Sequence, residues 1–492
     1  MAQFYKAVTN CAFGVGLLAF VLLWIRELRI PLCGDAIFMH YAAFLVGEYG
    51  FVPYAELFEL NFPITYVIHL LVGNIFGFGE PALRIVSAGT FLVFSIFVIK
   101  QFNRYAPKVG YFTALVFGFV YMSHFNNYFQ RDFLVLIPLM IALKLSDQVI
   151  LGRKCKGPQL IALGVLMGVI TMIKPHYFLF FPAIILGNQI IFKKPITLEL
   201  GFKAFLFLII GMFLPLAIVT FWMYQLNALM SFFEIVQFYL PSYARYRAEL
   251  GDGFIINRIH LYGGAYLLVV NFIAIFDDRV DVRRRLQFLS LLTIVGWLIG
   301  WLQGDVPYYF LLYHLMFLSV IGMSFSIRPF GQMSKSLRFY ANLLMPVLGL
   351  ICWYKLYFVL SMSPHFPATE NKYRGLVLKK SKFIQEYFES QPQQTSVQSY
   401  QWSFAINAAL LELERPNHTK YVTALQFHHR KTDVYLKGLE QDFITEIRQD
   451  LPDFFVIDVK LFGEPIESVL QVLDEFYELD ASFYDVEIFK KI

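Results

Sequence analysis

The sequence predicts a polytopic α-helical membrane protein of about eleven transmembrane helices, with interfacial helices in its first external loop and a small extracytoplasmic α/β domain at its C-terminal end. Three observations lead there. The 492 residues are 58% hydrophobic and only 16% charged, with a mean hydropathy of +0.56, outside the balance of a soluble globular protein. Apolar runs of about 20 residues, the length that crosses a bilayer core, recur along the chain between charges, Gly and Pro. After about residue 362 these runs stop and the sequence becomes mixed charged and apolar, which divides the chain into domains 1–362 and 363–492.

The runs fall at 8–28, 82–100, 109–126, 132–148, 158–174, 176–192, 203–224, 257–276, 287–304, 306–327 and 339–361. The first reads as an anchor and not as a cleaved signal, because Trp24-Ile25-Arg26-Glu27 stands where a small-residue cleavage site is needed. Basic residues gather in alternate short loops: Lys100, Arg104 and Lys108; Arg153, Lys154 and Lys156; Lys193, Lys194 and Lys203; Arg279 and Arg283 to Arg285; Arg328, Lys335 and Arg338. Those loops are cytoplasmic by the positive-inside rule, so the N-terminus is inside and the tail outside. The net charge of +5 is thus topological and implies no nucleic-acid partner. Cys11, Cys33, Cys155 and Cys352 lack disulfide or zinc-ligand spacing. Asn417-His418-Thr419 matches a glycosylation sequon, a triplet expected by chance in a chain this long.

Within the tail, "LVLKKSKFIQEYFESQ", "SFAINAALLELE" and "LKGLEQDFITEIRQDL" have helical periodicity, whereas "TSVQSYQW" and "DFFVID" read as strands. A β-then-α order predicts a small layered α/β unit, serving as a lid, a docking surface or a structural cap. No internal repeat of the kind found in many secondary transporters is present.

The stretch 32–66 follows the first run yet carries Asp35, His40, Glu48, Glu56 and Glu59. Ile37, Tyr41, Phe44 and Leu45 share one helical stripe, which predicts an amphipathic helix at the outer interface. In Gly34-Asp35-Ala36 the acid has a plain reading as the N-cap of that helix. A second acid on the same side, in Arg131-Asp132, weakens it: an ionisable residue at that depth marks a site, although a surface ion pair or another cap competes. Two such acids meeting in one cavity would repel, raising one pKa and making a base. Lys174 and His176 at a turn, Arg245 and Arg247 among tyrosines, and Tyr308, Tyr309 and His314 after Gln303 add cations and rings on that side. Cations at the interface suit a lipid-linked phosphate; taken singly, each also fits snorkelling or an aromatic belt.

In order, these features resemble the GT-C membrane glycosyltransferases, and among them the bacterial branch related to protein O-mannosyltransferases and to the aminoarabinose transferases acting on lipid A. The resemblance rests on Gly34-Asp35 followed by His40, on "PYAELFELNFP" from Pro53 to Pro63, on Asp132, on the Lys174 turn and on Gln303 ahead of Tyr308-Tyr309. It covers the membrane region in order, and the tail resembles the small external domain of those enzymes.

The resemblance implies sugar transfer from a polyprenyl phosphate (undecaprenyl or decaprenyl type) to a lipid, glycan or protein acceptor on the outer face of the bacterial cytoplasmic membrane. Asp35 would be the catalytic acid-base residue and Asp132 its partner. Glu59 and Asn61 would shape the pocket, while Lys174, His176, Arg84, Arg131 and the Arg245/Arg247 pair would face the carrier phosphate, with Tyr308, Tyr309 and His314 beside the substrate. Leu60-Asn61-Phe62-Pro63 follows Glu59 where some aminoarabinose transferases carry a lysine, and the acidic pair of eukaryotic O-mannosyltransferases is missing, so the donor sugar stays open. No cofactor is required by the residues; a divalent cation, Mg or Mn, is left open because distant GT-C oligosaccharyltransferases hold one between such carboxylates. A transporter or flippase of lipid-linked saccharides is the competing class, but it would keep its ionisable groups near mid-membrane. A non-catalytic scaffold would need no acids in two loops.

Overall fold

A computed structural model describes residues 2–29, 31–122, 127–150, 157–192, 198–243, 260–303, 307–327, 344–355, 370–401, 404–424, 427, 434–458 and 465–492. The protein is helical, with one small sheet near its C-terminal end. It divides into two compact units, residues 1–30, 88–217 and 251–368 in the first and residues 31–87, 218–250 and 369–492 in the second.

Among the described residues, Glu80–Phe102, Pro175–Phe192, Phe202–Gln225 and Val280–Gln303 are long and apolar enough to cross a membrane, and six further apolar helices of 10–17 residues accompany them. Several expected runs are interrupted. The run at 132–148 splits into Arg131–Leu134 and Leu136–Ile150, and that at 306–327 opens as a 3₁₀ turn, Pro307–Phe310, before Leu311–Ser324.

The first unit is built around Leu311–Ser324, which is buried along its whole length against Val280–Gln303 and Val109–Met122. An all-round apolar helix has no face to give to solvent, so other helices enclose it. Elsewhere in this unit, Gly164 on Gly157–Ile173 meets Gly211 on Leu198–Gln225, and Gly168, one turn on, meets Met212 and Pro215. A Cβ at Gly164 would stand 2.2 Å from the Leu208 carbonyl oxygen, and one at Gly211 would stand 2.2 Å from that of Ile161. Small residues four apart are what let two membrane helices approach to backbone contact. Gly211→Val therefore separates them, and we expect a loss of about 1–3 kcal/mol, read as a lower yield of monodisperse protein after solubilisation.

The second unit holds the opening stretch together with the tail. The helix Asp35–Glu48 packs on Pro63–Phe76 and on Ala405–Glu412. The expected apolar stripe proves to be part of a wider burial: Ala36, Met39, His40, Ala42 and Ala43 are enclosed along with Ile37, Tyr41, Phe44 and Leu45. The reason is visible in the sequence, since positions 36–45 are almost free of charge on every face. In the tail, strands β1 (Val397–Gln401), β2 (Phe454–Asp458), β3 (Tyr477–Phe483) and β4 (Val486–Lys491) form one sheet in the order β1-β2-β4-β3. β1 and β2 are parallel, and β4 pairs antiparallel with β2 and β3.

The outer edge of β1 is closed by residues 417–424. Ser399 N–H donates to Asn417 Oδ1 at 2.8 Å, Gln398 Nε2 to the Tyr421 carbonyl at 2.9 Å, and Ala424 N–H to the Gln401 carbonyl at 2.9 Å. Amide side chains thus saturate an edge that would otherwise pair with another strand.

Candidate active site

In the first unit, four residues gather from three places in the chain. Gln130 caps the short helix Arg131–Leu134, its side chain accepting the Asp132 backbone N–H at 2.8 Å, so Asp132 is not the cap. The Asp132 carboxylate is fully buried. One of its oxygens takes the Lys174 ammonium in a short ion pair, and the other accepts a hydrogen bond from the Tyr177 hydroxyl at 2.9 Å. Lys174 Nζ also sits 4.3 Å from the centre of the Tyr309 ring. A buried ammonium needs such company, because its desolvation is otherwise uncompensated. The ring face adds cation–π attraction.

Lys174 precedes a 3₁₀ turn, Pro175–Leu179, started by a proline whose missing N–H costs nothing there. With three residues per turn, Tyr177 lies on the Lys174 side. His176 is turned to the exposed side. Of the other nominees, Arg131 is partly exposed at the head of its helix. His314 is buried and accepts from Trp353 Nε1 at 3.3 Å. Tyr308 belongs to the turn Pro307–Phe310. Arg245 and Arg247 lie outside the described residues.

Within this unit the charged neighbour that Asp132 meets is a cation, Lys174. Asp132 is thus an anchor for Lys174. Among the described residues no three His, Cys, Asp or Glu side chains gather as a metal site.

In the second unit, Asp35 is the first residue of Asp35–Glu48 and partly exposed. The cap position belongs to Gly34, at φ 80° and ψ −153°, and no side chain caps the helix. This corrects the N-cap reading of Asp35: only glycine adopts that backbone readily, so the turn is made by Gly34. Glu59 and Asn61 hold each other. Glu59 Oε1 accepts Leu60 N–H at 2.6 Å, Asn61 N–H at 3.0 Å and Asn61 Nδ2 at 2.6 Å, while Tyr54 Oη donates to the Asn61 carbonyl at 2.6 Å. Arg84 is ion-paired to Glu80 at 2.5 Å.

His40, five residues after Asp35, is fully buried between Phe78 and His69, each ring centre 5.6 Å away. Burial drives its pKa down from 6.5 to about 4, and the Phe78 backbone offsets only part of this. Below pH 6.5 the unfolded chain takes up a proton that the folded chain refuses until about pH 4. Stability should therefore fall with pH across that window, by about 3 kcal/mol in all. Melting curves between pH 7.5 and 5 should slope less in His40→Gln than in the wild type.

The helical frame with its appended four-stranded sheet is similar in fold to ArnT. In particular, the chain aligns over 97% of its length, and 97% of the other chain, with ArnT from Cupriavidus metallidurans bound to undecaprenyl phosphate, at a TM-score of 0.51 and 11% identity. Apo ArnT from the same organism aligns over 99% of this chain and 98% of its own, at 0.51 and 12% identity. At that identity the likeness is one of fold. No family model matches the sequence, and no curated protein matches it.

Proposed function

We propose that the protein is a membrane glycosyltransferase that moves a hexosyl or pentosyl group from a polyprenyl phosphate to an acceptor on the outer face of the cytoplasmic membrane, with its N-terminus inside and its tail outside. The observation that carries this reading is the buried Lys174, held by Asp132, Tyr177 and the Tyr309 ring. An ammonium buried at this cost to folding suits a phosphate ligand, and the ArnT that shares the fold is described with undecaprenyl phosphate bound.

The chemistry divides between two acids of different roles. Asp35 takes the proton from the acceptor hydroxyl as that oxygen attacks the anomeric carbon. The bond from the anomeric carbon to the phosphate oxygen breaks, and polyprenyl phosphate leaves with the bonding pair. Lys174 stabilises the charge that develops on the departing phosphate, and Asp132 keeps the ammonium in place. In-line attack inverts the anomeric centre. Glu59 and Asn61 fix the loop after Tyr54 that shapes the sugar pocket.

The test is a panel of undecaprenyl phosphate-linked hexoses and pentoses added to membranes that contain the protein, with mass analysis of glycosylated lipid, glycan and protein. One donor should give a product absent from control membranes. Product from none would overturn the assignment, and movement of intact carrier across the bilayer would favour a flippase.

A further inference from the structure

We infer that the tail is a brace that sets the position of Asp35, with Arg374 and Glu412 as positioning residues; this rests on the role just proposed for Asp35. Two anchors act on the short strap that leads into the Asp35 helix. Arg374, on the first tail helix Glu370–Glu389, is buried, and its Nη2 donates to the Pro31 carbonyl at 2.9 Å. One residue on, Leu32 N–H donates to Glu80 Oε1 at 2.5 Å. Glu80 is itself held by the tail, because its backbone N–H donates to Glu412 Oε1 at 3.0 Å. Arg84 grips its second carboxylate oxygen at 2.5 Å.

Just past Asp35, the Phe38 ring lies 5.3 Å from that of Phe404 in the tail. Farther along the helix, Tyr41 and Tyr49 hydroxyls donate to the Arg415 and Glu414 carbonyls at 3.1 and 2.7 Å. Asp35 follows directly on Gly34, whose backbone is the most permissive type in the chain, so the strap can swivel at the residue before Asp35. Its aim must come from the groups that bind its backbone, and both lines of support run to the tail. A base displaced by about 1 Å loses on the order of 10²-fold in rate while substrate binding, made elsewhere, is little changed. A lid would instead act on substrate entry and raise KM.

The experiment uses the full chain in detergent. Hydrogen exchange is followed at residues 31–38 without ligand, and turnover is measured with the undecaprenyl phosphate sugar selected by the panel above. Arg374→Ala should speed exchange at these residues and lower kcat at least tenfold with KM within about twofold; Arg374→Lys, which keeps a donor, should recover most of both. Glu412→Ala, which removes the acceptor of the Glu80 N–H, should move both in the same direction and serves if Arg374→Ala yields too little folded protein. Tyr49→Phe removes a tail contact about 20 Å along the helix from Asp35 and should leave kcat unchanged.

Unchanged exchange at 31–38 in both Arg374→Ala and Glu412→Ala overturns the brace. So does faster exchange with kcat intact, provided Asp35→Asn is inactive in the same assay. Full activity of Asp35→Asn instead overturns the assigned base, and the exchange measurement still decides whether the tail holds the strap.

Discussion

Asp35→Asn is expected to lower sugar transfer by about 10²–10⁴-fold, the usual contribution of a positioned general base, while leaving the protein folded. The second half of that expectation follows from Gly34, which makes the turn and holds the cap position without help from a side chain. What the substitution removes from folding includes a negative charge in the first helical turn, about 0.3–1 kcal/mol. Transfer by membranes with matched protein levels is the measurement. Rates within threefold of the wild type would remove Asp35 from the chemistry. Asp132→Asn should behave differently: it strands the Lys174 ammonium in a buried site, so expression and transfer should fall together.

Lys380→Met is the variant expected to damage folding most. Lys380 is fully buried on the tail helix Glu370–Glu389, with its ammonium 2.7 Å from both Asp458 and Asp485. Asp458 ends β2, where it pairs with Gln401 of β1 and Val486 of β4, and Asp485 precedes β4. The three side chains therefore tie the helix to the sheet. Removing the cation leaves two carboxylates facing each other out of water, a loss of about 3–5 kcal/mol. Protease sensitivity of the tail in the solubilised full chain should rise sharply. Adding Asp458→Leu and Asp485→Asn to Lys380→Met should restore most of the resistance, because replacing a whole buried ion cluster is far less costly than breaking it. Failure of that rescue would mean the cluster does something other than balance charge.

Much of this frame could be read from the residues. The tail's helices at "LVLKKSKFIQEYFESQ" and "SFAINAALLELE" and its strands at "TSVQSYQW" and "DFFVID" fall where their periodicity puts them. The hairpin β3–β4 was not legible: its turn carries Tyr484 at φ 55° beside Asp485, without the Asn-Gly or Asp-Gly pair that announces such turns. Asp132 and Lys174 were each visible as ionisable residues beside apolar runs. Their pairing was not, because 42 positions separate them. His176 stands out in the sequence as a titratable ring beside Lys174, while Tyr177 is one of many tyrosines; the three-residue spacing of the 3₁₀ turn brings Tyr177, not His176, round beside Lys174. Gly34 hid the nature of the Asp35 helix start, because an acid at that point in a sequence has the look of a cap.

The closed edge of β1 turns the sequon Asn417-His418-Thr419 into a reporter of misfolding. Asn417 is buried, and its Nδ2, the atom a glycan would join, already donates to the Thr419 and Tyr421 carbonyls at 2.8 and 3.1 Å. In a host whose secretory machinery modifies such triplets, a tail that closes before the enzyme arrives stays bare. A sugar-shifted band on a gel would then count the chains whose tail failed to close, with no need to purify or assay them.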